Sequence, residues 1–253
     1  MIKAARSFFL AGMVLALAVP SFAQQSVFTN RSPEKTTTLL VDNFSKDASL
    51  NTTLWTASST FLSNLAVAAS SPAGKFVTPT LSFKPGCSCS GMQMTGLTIA
   101  DTLTGVQSVS TFTPPFTAVI DVDPTEGTAY PFEIILANSS LSQYFTVTDS
   151  VYAGADSIWV DDPTTGALSS LGEQFTPPIT PVFKHLYVIT INVNTAGAAS
   201  VTVYKGKNEL GSLSSLQVGA GPFHLVLGQR IGAAATGSQV VDWQYVKVTS
   251  TTD

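Results

Sequence analysis

The densest run of reactive side chains in this 253-residue chain is Asp121-Val122-Asp123-Pro124-Thr125-Glu126. Three carboxyls spaced two and three residues apart share one face of a strand if one extra residue bulges out between the second and third. Carboxyls in such a row can work as a general acid and base pair. A competing reading uses the same residues. Pro124 removes a ladder N–H from what should be a continuous strand. Thr125-Glu126-Gly127-Thr128 then has the composition of a turn. The expectation taken forward is this second one, a strand that ends at Val122 and a solvated acidic loop after it.

Other candidates are thinner. Cys87-Ser88-Cys89 sits between Pro85-Gly86 and Ser90-Gly91, a loop by its turn residues. One intervening residue allows a small strained disulfide ring, an intermolecular bridge or half of a soft-metal site. An oxidising compartment favours a bridge or modified thiols over a redox pair. Asp156, Asp161 and Asp162 flank a short strand, with Asp149 nearby. They supply hard oxygens suited to calcium, which takes 6–8 such ligands, or else they are solvated loop acids; no other cofactor is expected. Tyr130, Tyr152 and Trp159 lie near turns or short strands and are the candidates for stacking on the C–H face of a sugar. Trp55 and Trp243 sit in apolar patterns and read as core. His185 and His224 are the only histidines, and nothing selects a Ser-His-Asp triad or a zinc site.

The elements that must position these residues are short. Only 11% of the chain is charged, 44% is hydrophobic, and 61 residues are Ser or Thr. That is too apolar for disorder and lacks the Glu/Lys/Arg/Ala bias of helical bundles. A net charge of −4 argues against nucleic acid as a partner. Met1–Ala23 has Lys3 and Arg6, an apolar core from Phe8 to Val19, Pro20, and small residues at Ser21 and Ala23. This is the pattern of a signal peptide, and the core falls short of the roughly 20 residues that span a bilayer. Export to the periplasm or beyond is expected, with no membrane attachment after cleavage. Removing 23 residues leaves 230, enough for one sandwich domain. Residues 24–38 read as a loose lead-in and 39–250 as the domain.

Twelve strands are expected, at Thr37–Val41, Phe76–Phe83, Met92–Thr95, Gly105–Phe112, Phe116–Val122, Phe132–Asn138, Gln143–Thr148, Ser157–Val160, Leu186–Val193, Ser200–Tyr204, Phe223–Gln229 and Val240–Thr249. Tyr187, Ile189, Ile191 and Val193 alternate with polar residues, as do Val201 and Val203, so these strands have one dry and one wet face. Asn194-Thr195-Ala196-Gly197 is a hairpin turn between them. In the last strand Val241, Trp243 and Tyr245 share one parity and Val246 and Val248 the other, which points to a bulge or to a strand that switches partners. Phe61–Ala69, with Ser59/Thr60 ahead of Leu62, Leu65 and Ala66, is the one helical spacing. The class is all-β, an antiparallel two-sheet β-sandwich.

Several stretches carry a family resemblance: Leu50–Trp55, Phe76–Phe83, Gly91–Met94, Gly105–Ser108, Phe112–Thr117 and Gly219–Arg230. In this order the chain resembles exported bacterial proteins with a concanavalin A-like lectin/glucanase (LamG-like) domain. The resemblance implies a jelly roll of two antiparallel sheets, one usually concave. Laminarinase-type members carry Glu-x-Asp-x-(x)-Glu on a concave strand, where the first acid attacks the sugar, the last donates a proton and the middle Asp tunes them. Asp121, Asp123 and Glu126 match the longer spacing, but Asp121 is one methylene shorter than the family's Glu. The expectation is therefore a non-catalytic, lectin-like module that binds a glycan or surface polymer. The alternatives are a β-glycan hydrolase using Asp121, Asp123 and Glu126, and a structural or protein-interaction module. The sequence leaves the oligomeric state open.

Overall fold

The computed structural model describes residues 35–68, 74–85, 91–96, 102–126, 132–152, 155–162, 167–171, 186–231 and 239–252. The segment read as a signal peptide, Cys87, Cys89, Tyr130 and His185 lie outside the described residues. In chain order the strands are β1 (Lys35–Asp42), β2 (Trp55–Thr56), β3 (Lys75–Phe76), β4 (Thr80–Phe83), β5 (Met92–Gly96), β6 (Thr102–Ser108), β7 (Phe116–Glu126) and β8 (Phe132–Asn138). There follow β9 (Tyr144–Tyr152), β10 (Ala155–Asp162), β11 (Ala167–Ser170), β12 (Tyr187–Val193), β13 (Ala198–Lys205), β14 (Asn208–Gln217), β15 (Phe223–Ile231) and β16 (Gln239–Thr252). One helix, α1 (Thr60–Ala68), lies between β2 and β3.

Two eight-stranded sheets result. The first runs β14-β13-β12-β7-β16-β5-β4, with β1 also on β16. The second runs β11-β10-β9-β8-β15-β6-β2, with β3 added to β6. Pairing is antiparallel except for the two-residue β3, which is parallel to β6. This is the expected all-β jelly-roll sandwich.

The core lies between the sheets and follows the period-two pattern. Ala118, Ile120 and Val122 of β7 and Tyr187, Ile189 and Ile191 of β12 face inward from the first sheet. Phe132, Ile134 and Leu136 of β8 and Phe223, Leu225 and Leu227 of β15 meet them from the second. Phe132 and Trp243 cross edge-on at 6.3 Å between ring centres. The two layers are also joined by a polar tie, where Trp55 Nε1 of β2 donates to Asp42 Oδ2 of β1 at 2.8 Å.

A second apolar cluster sits on the outer side of the second sheet. Leu62, Leu65 and Ala66 of α1 pack there on Leu103, Ile135, Ala137 and Val226. The helix forms because its apolar residues recur at three- and four-residue spacing and Ser59 caps it. Leu62 N donates to Ser59 Oγ at 3.0 Å. This agrees with the expectation for 61–69, displaced by one residue.

Three expectations are corrected, and the bulge expected in the last strand is found. The lead-in does not reach residue 38, because β1 begins at Lys35. Its Thr-rich start pairs with the end of β16, Thr36 opposite Thr251. Phe76–Phe83 is two strands in different sheets, since Pro79 stops the first path and the chain crosses over. β14 was missed; its Gly- and Ser-rich sequence shows no alternation, and it makes two register shifts against β13. In β16 the bulge falls between Trp243 and Tyr245. Val246 and Val248 therefore join Val241 and Trp243 in the core, and Tyr245 moves to the outer face.

Candidate functional site

β7 does not stop at Val122. It continues to Glu126 beside β16, with Asp123 opposite Asp242, Pro124 opposite Val241 and Glu126 opposite Val240. The register shift leaves Thr125 as the extra residue. A proline is tolerated inside a sheet at a bulge, where a ladder donor is already missing. The expectation of a solvated loop after Val122 is thereby corrected. Asp121 and Asp123 lie on the outer face, alternating with buried Ile120 and Val122. The bulge returns position 126 to the same row. The three acid positions therefore fall in one line on the sheet face that faces away from the core.

The acids differ in surroundings. Asp123 is 1% exposed. Asp121 is half-buried, and burial pushes its carboxyl above the ordinary value of 3.8. Its register neighbours are Val188 of β12 and Tyr245 of β16, and Val188 is opposite Tyr204 of β13. Two half-buried tyrosines thus flank the Asp121 position across the sheet, at strand spacings of roughly 4.8 Å. On the other side of Asp123 a polar row crosses four strands. Ser82 Oγ donates to Gln93 Oε1 and Gln93 Nε2 donates to Asp242 Oδ2, both at 3.4 Å.

Sequence reasoning missed Asp242, Gln93, Tyr204 and Tyr245 as parts of this surface. A signal existed for Asp242, which lies between two core residues, Val241 and Trp243, and so had to face outward. Tyr245 was hidden by the bulge. For the other candidates the structure gives positions only. Asp156, Asp161 and Asp162 all lie within β10, paired in register with Val151 of β9, Thr146 of β9 and Ala167 of β11. Among the described residues no group of three or more His, Cys, Asp or Glu is arranged to hold a metal ion. Trp159 is half-buried on β10, and Tyr152 ends β9; both belong to the second sheet, away from the acid row.

His224 lies on the helix-covered side of the second sheet. Its ring packs on Phe61 at 4.6 Å, and Nδ1 lies 3.0 Å from the Ser108 carbonyl oxygen, which accepts. Burial lowers its basicity, partly offset by that bond. It is separated from the acids by the whole sandwich and takes no part in their chemistry.

No protein-family model matches the chain, and no curated protein matches it. Solved structures do. The laminarinase catalytic domain from Thermotoga maritima MSB8 superposes with a TM-score of 0.56 at 12% identity, over 87% of this chain and 100% of that one. β-Agarase A from Zobellia galactanivorans gives 0.57 at 9%, over 86% and 93%. A Bacillus licheniformis β-glucanase gives 0.54 at 11%, over 83% and 96%. At these identities the likeness shows the fold. The proteins sharing it are named as glycan-active enzymes, and that finding corrects the expectation of a non-catalytic lectin-like module.

Proposed function

We propose that this chain is a glycoside hydrolase acting on a β-glycan, with Glu126 as the proton donor, Asp121 as its partner carboxylate and Asp123 between them. One observation carries the reading: β7 runs unbroken through a one-residue bulge that keeps all three acid positions in one row. Half-buried tyrosines beside that row suit the C–H faces of sugar rings. The superposable enzymes are named as a laminarinase, an agarase and a glucanase. The amino-terminal segment supports export, where such polymers are met.

The test is release of reducing ends from laminarin, lichenan and agarose by the purified protein. Turnover on one of them, lost in Glu126→Gln, is the expected result. Turnover untouched by Glu126→Gln, or none on the panel, would overturn the assignment.

Side-chain length adds an expectation about stereochemistry. Asp121 has one methylene fewer than glutamate and falls short of direct attack on the sugar carbon. A water fits that gap, as in inverting enzymes, whose carboxyls stand about 6.5–9.5 Å apart. Proton NMR of the fresh product is expected to show inversion at the anomeric carbon. Retention would instead make Asp121 the direct nucleophile.

A further inference from the structure

Asp123 does not stand alone at its register position. Asp242 of β16 is directly opposite it on the same outer face, and both are closed off from bulk water: Asp123 is 1% exposed and Asp242 0%. Directly opposed residues hold their Cβ atoms about 4.5–5.5 Å apart, so the two carboxyls are immediate neighbours. Like charges at that range in a dry setting do not both ionise near neutral pH. Each raises the proton affinity of the other, and the two titrate as a pair that retains one proton.

The surroundings decide which member keeps the charge. Ser82 Oγ donates to Gln93 Oε1, which turns the amide nitrogen of Gln93 toward Asp242, and Gln93 Nε2 donates to Asp242 Oδ2. A donor favours the ionised form of its acceptor. Asp123, by contrast, has Asp121 two residues before it on the same face, about 7 Å along the strand, and the acid position 126 after it. Acids in line disfavour a charge on the middle one. Both influences put the charge on Asp242 and the proton on Asp123. The other described ionisable groups on this face stand farther off. Tyr245 is opposite Asp121 and Lys247 opposite Val119, while Lys84 follows β4 two residues beyond the Ser82 that faces Gln93. β12 presents Val188, Thr190 and Asn192 outward and β5 presents Gln93 and Thr95, all uncharged.

We propose that Asp242 is a positioning residue for the acid row, which holds a proton on Asp123 so that the row carries no charge at its centre. Its use rests on the hydrolase reading. Burial already pushes the Asp121 carboxyl up, and a charged Asp123 beside it would push it further. A protonated Asp123 offers an O–H instead, and Asp121 ionises next to a neutral neighbour. Asp242 itself is fully buried and touches no substrate; it acts through Asp123.

The experiment compares the full chain with Asp242→Asn and Asp242→Glu. Infrared spectra at pH 7 are taken in an Asp42→Asn background, which removes the other perturbed carboxyl. A protonated-carboxyl C=O band is expected in that background, lost on adding Asp242→Asn and kept on adding Asp242→Glu. In turnover of laminarin, lichenan or agarose, Asp242→Asn is expected to move the alkaline limb of kcat down by about one pH unit or more, because Asp123 then gives up its proton at lower pH. Activity recovers toward the parent's below that limb, and Asp242→Glu restores the parent's profile. No band lost and an unmoved limb, or a loss of kcat equal at every pH, would overturn the role of Asp242 and spare the hydrolase reading. A band lost in a protein that turns over none of the glycans would keep the shared proton and sink the hydrolase reading. Neither band nor turnover would sink both.

Discussion

The two sheets share one core but present opposite outer faces. β8, in the middle of the second sheet, is buried at Phe132 through Ala137 on both sides, because α1 lies on its outer face. β12, in the middle of the first, alternates buried with half-exposed or exposed residues from Tyr187 to Val193. One sheet has its outer face covered by aliphatic packing over β6, β8 and β15. The other keeps a polar outer face on which carboxyls, tyrosines, threonines and amides are displayed. Eight strands in each layer give one scaffold two different faces: one packed under a helix, the other bearing the acid row. Rigid strands are better supports for reacting groups than loops, since their side-chain positions are fixed by the ladder.

Substitutions on the two faces should therefore act on different quantities. The largest effect is expected for Asp123→Asn, which lies in the acid row: turnover falls by about 10²- to 10⁴-fold, the range for losing a general acid–base group or its partner. Steady-state assays beside a thermal melt check it, and undiminished turnover would remove Asp123 from the site. Next is Leu65→Ala under α1. Truncating a fully buried leucine costs about 2–5 kcal/mol of stability. Denaturant titration should show that loss while kcat per folded molecule stays the same. A fall in kcat at matched folded fraction would mean that the faces are not independent.

The smallest effect belongs to the seam between the sheets. Asp42 is 6% exposed, and its carboxyl is pushed up to about 6, chiefly by burial and then by the Asp47 carboxyl, against the bond from Trp55. A folded value above the unfolded 3.8 means that the fold binds the proton more tightly. The stabilisation is full below about pH 4 and is lost as pH rises through about 6. Asp42→Asn keeps an acceptor for Trp55 and removes this dependence. It is expected to stabilise the protein by about 1–3 kcal/mol at pH 7.5 relative to the parent, and not at pH 3.5. Equal stabilisation at both pH values would show that the carboxyl is not the cause.

Much of the frame was legible in the sequence because alternation reports burial directly. Phe132–Asn138 was read to the residue, and the Asn194–Gly197 turn stands as expected, with Gly197 N donating to Asn194 O at 2.9 Å and Gly197 at φ 74°. An added Cβ at Gly197 would meet the Gly219 carbonyl oxygen, so the turn requires glycine there. What was not legible lies where the period breaks. The bulges at Thr125 and Gln244 each shift a strand by one residue, and a one-residue shift exchanges the two faces. Pro124 and the turn-like residues after it looked like an ending because a local pattern cannot reveal the partner strand that carries β7 onward. Val240–Trp243 supplies that partner, more than a hundred residues later. The outward position of Tyr245 was obscure for the same reason.

The irregularity at Thr125 also guards the pairing it interrupts. Were the ladder to slip so that the extra residue disappeared, position 126 would fall on the inward side, the face that carries Val241. An ionisable group has no solvent there, and enclosing one without a counterpart costs several kcal/mol. Mispaired chains would carry that penalty and the native register does not, so the irregularity also opposes sliding of the two strands.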